Sequence, residues 1–308
     1  MTKYIFRRLL GMIPTLLIII TLSFFIVRIA PGGPFDGERA LPEAVKANIE
    51  AKYHLDEPVL QQYGRYLFDV VRGDLGPSYK YKDNDVNYYI FTSLPNSAVL
   101  GSIAILLALV FGILFGILAA LYQNSWIDYL TMGVAVIGIS VPLFVVGPVL
   151  QLIFAMNLGW LPTSGWYTTG EGWQSVILPA LSLSFAYFAT VARLTRSSML
   201  DTLRSDYIRT AKAKGMKNST IILKHAMKGA MLPIVSYLGP AFAGVITGSI
   251  VIEQVFRVPG IGKFFIQSSF NRDYTLIIGV VIVFSVILVV MNFIVDIVYA
   301  MLDPRIAY

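Results

Sequence analysis

The 308-residue chain has no cysteine, only two histidines, and few charges: Asp, Glu, Lys and Arg make up 14% of it. The absence of cysteine excludes disulfides, thiolate metal sites and a thiol nucleophile, and leaves no marker of redox compartment. Soluble domains carry about 25% charged and roughly 45–50% apolar residues. Here 56% of residues are hydrophobic, which excludes both an ordinary soluble domain and a disordered chain. A polytopic all-α membrane protein remains. The net charge is +6, from 24 basic against 18 acidic residues. In such a chain this excess marks cytoplasmic loops before it suggests a nucleic acid, and no nucleic acid is expected as a partner.

A helix crossing the hydrocarbon core needs about 20 mostly apolar residues. Six segments qualify: Leu9–Ile29, Ala98–Tyr122, Tyr129–Met156, Val176–Ala192, Leu232–Ile252 and Leu276–Leu302. The first is too long for the core of a signal peptide, and Arg28 stands where a cleavage site needs a small residue, so it is read as a retained span. Basic residues set the orientation. Lys3, Arg7 and Arg8 precede the first span, and nine more lie between Arg193 and Met231, whereas residues 31–95 mix seven basic with ten acidic ones. Both termini are therefore expected in the cytoplasm and residues 31–95 outside. Trp126, Trp160, Trp166 and Trp173 fall near span ends, where interfacial aromatics belong.

Catalytic patterns fail one by one. Gly260-Ile261-Gly262-Lys263 resembles part of a phosphate loop, but Arg257 and Phe264 stand where glycine and a hydroxyl are required, so it reads as a turn. His54 and His225 lie on opposite sides of the membrane and cannot share a metal. Asn218-Ser219-Thr220 fits a glycosylation acceptor but faces the cytoplasm, and reads instead as a helix cap. No catalytic, cofactor-binding or metal-ligating residue is expected. Ion coupling needs ionisable groups deep in the bundle. The candidates Arg28, Glu253 and Asp296 all sit near span ends, where snorkelling or capping explains them. Gly112-x-x-x-Gly116 and Gly244-x-x-x-Gly248 permit close helix approach, within this chain or against a second subunit.

The loop 193–231 is the informative segment. Ser205 is placed to cap a helix over Asp206–Lys214, with Tyr207, Ile208 and Ala211 on one face. Gly215 suits the left-handed position that ends it. Asn218 or Ser219 then caps a second helix, with Ile222, Leu223, Ala226 and Met227 inward, before Leu232-Pro233 turns into the next span. A basic, one-sidedly apolar elbow of this kind docks on a partner or rests on anionic lipid, and its physics leaves both readings open.

At this elbow, Arg209-Thr210-Ala211-Lys212-Ala213-Lys214-Gly215, with His225 and Leu232-Pro233 following, resembles the cytoplasmic signature of ABC importer permeases of the peptide and nickel branch. Arg209 and Thr210 stand where the general form has Glu and Ala, while Ala211 and Gly215 match it. Elsewhere Arg7-Arg8-Leu9, Ile13-Pro14-Thr15, Arg28-Ile29-Ala30-Pro31-Gly32, Val255–Gly262 and Asp303-Pro304-Arg305 are similar to the B-type permeases of peptide importers. Gly37-Glu38-Arg39, the run from Asn48 to Leu55 and the run from Gly76 to Asp83 resemble the oligopeptide members. The resemblance covers nearly the whole chain.

It implies a type I ABC importer transmembrane fold of six helices with an extra N-terminal span (residues 1–30), a periplasmic insertion (31–95) and a five-helix core (96–308). The implied assembly pairs this subunit with a second homologous permease and two cytoplasmic ATPases, which bind the ATP and Mg, since no cofactor belongs to this chain. An extracytoplasmic peptide-binding protein would deliver oligopeptide; Asp36, Glu38, Glu43, Glu50, Asp56 and Glu57 form an acidic stretch that either docks it or is a solvated helical cap. The implied place is the bacterial inner membrane, multi-pass, in contact with lipid. Coupling to the ATPases would fall on Arg209, Thr210, Ala211, Gly215, Met216, Lys217, Asn218, Ser219, Thr220, Ile221, Ile222, Leu223 and Lys224. Substitution of Gly215 by Asp is then expected to abolish uptake through misaiming of the second helix. The alternatives are the same architecture carrying dipeptides or a nickel chelate, and a standalone secondary carrier or channel.

Overall fold

The computed structural model describes residues 2–29, 53–81 and 84–302. Helix α1 spans Thr2–Ile29, α2 Val59–Val71, α3 Val86–Leu121, α4 Trp126–Ser140 and α5 Leu143–Leu150. Then come α6 (Gln174–Leu203), α7 (Asp206–Ala213), a single turn at Asn218–Thr220, α8 (Met227–Gly248), α9 (Ile250–Phe256), α10 (Gly262–Asn271) and α11 (Tyr274–Leu302). Of these, α1, α3, α6 and α11 are long and apolar enough to cross a membrane unbroken, and two bent pairs, α4 with α5 and α8 with α9, raise the number to as many as six.

The span expected over Tyr129–Met156 is therefore not one rod. Its two halves meet at 110°. Val141 is extended (φ −86°, ψ 122°) because the ring of Pro142 excludes the helical region for the residue before it. The lower half ends in a wide π-helical stretch, Gln151–Asn157. The second span starts earlier than expected, at Val86, and the fourth continues to Leu203, so Arg193 and Arg196 ride on a helix rather than a loop.

The chain divides into two compact units. The larger, here the elbow unit, comprises the described parts of Met1–Arg7, Ser97–Pro259 and Leu288–Tyr308. Its hub is α6, against which α4, α5, α8 and α9 pack. That helix buries small and hydroxylated residues (Ala180, Ser182, Ser184, Ala189, Ala192), which lets its neighbours approach closely without an apolar driving force. Gly112 and Gly116 of α3 use this. A Cβ at Gly116 would lie 2.5 Å from the Cβ of Thr195 and 2.6 Å from the carbonyl oxygen of Ala192. The motif that sequence left open between internal packing and a second subunit is filled within the chain.

Two side chains depart from their expected settings. Trp166 is not interfacial: it is fully buried with Leu100, Leu178, Leu183 and Phe256. Nor does Glu253 snorkel. It is buried and accepts hydrogen bonds from the hydroxyls of Ser97 and Ser249, each at 2.6 Å, as a carboxylate away from water requires.

The smaller unit takes the described parts of Arg8–Asn96 and Gly260–Ile287. Phe24, Val86, Ile90, Ile261 and Leu276 form its core. The loop after α2 is tied down by Asp273, which accepts from the Ser78 hydroxyl and from the Tyr79 amide at 3.2 Å. The same carboxylate accepts the Leu276 amide at 3.3 Å, the capping geometry at the start of α11. Of the motif residues named above, Ala30-Pro31-Gly32, Gly37-Glu38-Arg39, Asn48 to Lys52, Lys82-Asp83 and Asp303-Pro304-Arg305 lie outside the described residues, as do Asp36, Glu43 and Glu50.

Candidate functional site

The elbow begins where α6 stops. Ser205 has the extended backbone of an N-cap (φ −69°, ψ 154°) and makes no side-chain cap; its hydroxyl donates to the Thr202 carbonyl at 2.6 Å instead. Helix α7 then runs from Asp206 to Ala213, with Ile208 and Ala211 buried. Tyr207 is half exposed rather than inward, being one position off that face.

The end of α7 is closed by a Schellman motif. Gly215 sits at φ +70°. Its amide donates to the Lys212 carbonyl at 2.9 Å, and the Met216 amide reaches the Ala211 carbonyl at 3.3 Å. These are the paired bonds that satisfy the last carbonyls of a helix when the next residue is left-handed. Met216 packs on the apolar cluster that contains Ala211, which supplies the hydrophobic contact such a motif carries. The left-handed, helix-ending position expected for Gly215 is the one it occupies.

The second arm differs from expectation. Its cap position is Lys217 (φ −59°, ψ 137°), and Asn218–Thr220 form one α turn. Ile221–Ala226 then widen into a π-helical turn that continues directly into α8. No turn occurs at Leu232-Pro233; the helix runs through Pro233 and Pro240. The wider turn shifts the inward register. Ile221, Ala226 and Ala230 are buried against Met199 and Ile208, while Leu223 points out, 68% exposed.

The proposed set thus separates into two faces. Ala211 and Ile221 are buried in one cluster, with Met216 and Ile222 packed against it. Arg209, Thr210, Gly215, Lys217, Asn218, Ser219, Leu223 and Lys224 are exposed, and Thr220 lies between. Burying Ile208 and Ile221 favours this arrangement by about 1.5–3 kcal/mol each. The exposed Arg209–Asp206 pair, at 3.5 Å, adds little. The outer face is basic, with one large apolar residue at its centre.

Sequence gave no sign of what braces the elbow's base. Arg196 on α6 grips Asp128 on α4 in a two-point ion pair, Nε to Oδ1 and Nη2 to Oδ2, both 2.6 Å. The Asp128 carboxylate also accepts the Asn124 amide at 3.0 Å, and its side chain is 3% exposed. The partners lie 68 positions apart, beyond any local pattern. Among the described residues, no group of three or more His, Asp or Glu side chains could hold a metal ion.

Two family patterns match the chain. One described as "Binding-protein-dependent transport system inner membrane component" matches residues 112–308, and its N-terminal counterpart, "Binding-prot-dependent transport system membrane comp, N-term", matches residues 1–83. The oligopeptide transport system permease protein OppB of Haemophilus influenzae is 53% identical over 308 residues, covering 100% of both chains. The OppB protein of Escherichia coli K12 is 51% identical over the same span and also covers 100% of both. A dipeptide transport system permease protein, DppB of Bacillus subtilis, is 44% identical over 306 residues, covering 99% of this chain and 98% of its own. Among solved structures, a chain of the inward-facing MetNI methionine ABC transporter aligns at TM-score 0.57 and 15% identity, covering 70% of this chain and 97% of its own. An amino acid ABC transporter solved with histidines aligns at TM-score 0.50 and 16% identity, covering 71% and 94%. At such identities these two likenesses speak to fold alone.

Proposed function

The chain belongs to the family of binding-protein-dependent transport system inner membrane components, and from that premise we propose that it is the permease subunit of an oligopeptide importer driven by ATP-binding-cassette ATPases. The observation that carries this reading is the end-to-end match, at 53% identity, to an oligopeptide permease. The fold is the type I importer transmembrane fold, and the chain is a multi-pass inner-membrane protein. Both termini are placed in the cytoplasm, as the basic residues of the elbow and the N-terminus favour.

In this reading the chain itself is not catalytic. A second homologous permease and two ATPases complete the complex, and a binding protein supplies peptide from outside. The elbow is the ATPase dock. Its support is physical: a rigid Schellman-closed corner, anchored by Ile208 and Ile221, presents Arg209, Leu223 and Lys224 outward. ATPase closure would push on that corner, and Arg196–Asp128 would pass the push into α6 and α4 as a rigid-body movement. Access then alternates between two states of which nucleotide favours one.

The test is purification of the intact complex followed by uptake. Co-purification of two ATPases and a second permease, with ATP-dependent uptake of tri- and pentapeptides, is the expected result. Uptake of only dipeptides or a nickel chelate would move the cargo to the sister branch, which the DppB relative keeps open. Transport by this chain alone in vesicles would overturn the assignment.

A further inference from the structure

The smaller unit contains a cavity of about 160 Å³ between α1, α2 and the start of α11. Arg28, Gln62, Arg65, Tyr66 and Tyr79 are among its lining residues. That volume is well below the roughly 300–1,000 Å³ of pockets for drug-sized ligands, so it suits a small polar group better than a peptide.

Among the described residues, Arg28 is held in place by neutral groups. Its guanidinium carbon lies 3.4 Å above the centre of the Phe24 ring. Nε and Nη2 donate to Gln62 Oε1 at 3.2 and 3.1 Å, and Nη1 reaches the Phe24 carbonyl at 3.4 Å. Gln62 is itself fixed, its amide nitrogen donating to the carbonyls of Glu57 at 2.8 Å and Leu55 at 3.2 Å. A guanidinium has five N–H donors in a planar fork; three are engaged here, and two remain. No carboxylate lies within ion-pair distance of Arg28 among the described residues. Glu57 pairs with Arg65 at 2.8 Å and with His54 at 3.2 Å, and Asp69, which also lines the cavity, pairs with neither arginine.

A second group has the same need. The Tyr66 hydroxyl is buried and has no hydrogen-bond partner among the described residues. Burial pushes its pKa up, and pushes that of Tyr79 up to about 12, so both stay neutral and neither repels an anion. A buried donor without an acceptor is costly, as is a desolvated cation without a counter-charge. One oxyanion would answer both.

The surroundings say which. The cavity lies at the end of α1, whose Leu22, Ile26 and Ile29 are exposed, and α2 exposes Leu60, Phe68 and Val71 along one face. Helix α2 packs on α1 through Tyr63, its hydroxyl 2.7 Å from that of Thr21, so both helices that wall the cavity also carry exposed apolar residues. We propose that Arg28 and the Tyr66 hydroxyl bind the phosphodiester of an anionic phospholipid from the extracytoplasmic leaflet, with its acyl chains on the exposed faces of α1 and α2.

The proposal does not depend on the transported cargo. The full-length chain, solubilised with its co-purifying subunits, would be titrated with phosphatidylglycerol, diacylglycerol or inorganic phosphate and read by native mass spectrometry. One saturable phosphatidylglycerol adduct is expected on this chain. Arg28→Gln should weaken it roughly tenfold or more, as loss of a charge-assisted bond does. If that variant fails to fold, Tyr66→Phe still decides: it should weaken the adduct several-fold while leaving the melting temperature equal or higher, because it removes an unsatisfied buried hydroxyl. Equal phosphatidylglycerol binding by wild type and Tyr66→Phe overturns the site. Equal binding of diacylglycerol, which lacks the phosphodiester, overturns the charge argument, and phosphate binding as tight as the lipid overturns the lipid as the source.

Discussion

Gly215 offers the sharpest test of how the elbow is built. It stands at φ +70°, and a Cβ added there would meet no heavy atom within 4 Å. Any cost of substitution therefore comes from the backbone and not from crowding. A left-handed L-residue costs roughly 1–2 kcal/mol, with Asn and Asp less penalised because they visit that region. The buried Ile208 and Ile221 contribute about 1.5–3 kcal/mol apiece, so the elbow should stay docked on its own chain in every variant, and the strain should appear as a changed corner. The expected order of ATP-dependent peptide uptake is Gly215, then Asn, then Ala, then Val, with the subunit present in the membrane at similar levels throughout. A strain of 1–2 kcal/mol changes a two-state ratio by about 5–30-fold, which sets the scale for Ala; β-branched Val should fall further. Gly215→Asp, expected from sequence to abolish uptake, belongs beside Asn and should lose only part of it. Equal uptake by all variants, or Asn as damaging as Val, would refute the backbone argument.

Other outcomes follow from the packing. Arg196→Ala should lower the stability of the solubilised chain by about 3–5 kcal/mol, because it strands the buried Asp128 carboxylate. Asp128→Asn should cost less, since Arg196 is 26% exposed and can re-hydrate; equal losses in a denaturant titration would mark the pair as an ordinary surface bridge. Gly116→Ala should destabilise by forcing α3 away from α6, whereas Gly133→Ala, whose Cβ meets nothing within 4 Å, should be neutral or stabilise by up to about 1 kcal/mol. Thermal melts in which both alanines behaved alike would argue against the close α3–α6 crossing.

Local chemistry explains which parts could be read beforehand. Gly215, the α7 helix before it and the four unbroken helices each follow from a short-range cue: a left-handed glycine, a two-position apolar face, a run of about 20 apolar residues. The bend at Pro142 has a local cue in the proline itself, but apolar length alone makes Tyr129–Met156 one continuous span. The π-helical turn at Ile221–Ala226 was not legible, because an extra residue per turn has no compositional mark, and it moved Leu223 from the inside to the outside. Tertiary pairings were invisible for a simpler reason. Arg196 with Asp128, and Glu253 with Ser97, are joined by folding across 68 and 156 positions. Trp166 looked interfacial by its place in the chain and is buried because the core of the elbow unit closes around it.

The central claim is that the outward face of the elbow docks an ATPase, and a photo-crosslinker at position 223 tests it most directly. In membranes containing the full transporter, a crosslinker in place of the exposed Leu223 should capture a cytoplasmic ATPase subunit, and one in place of the buried Ile221 should capture only this chain. Capture of lipid alone from position 223, in a complex that still imports peptide, would contradict the account and return the elbow to the membrane surface.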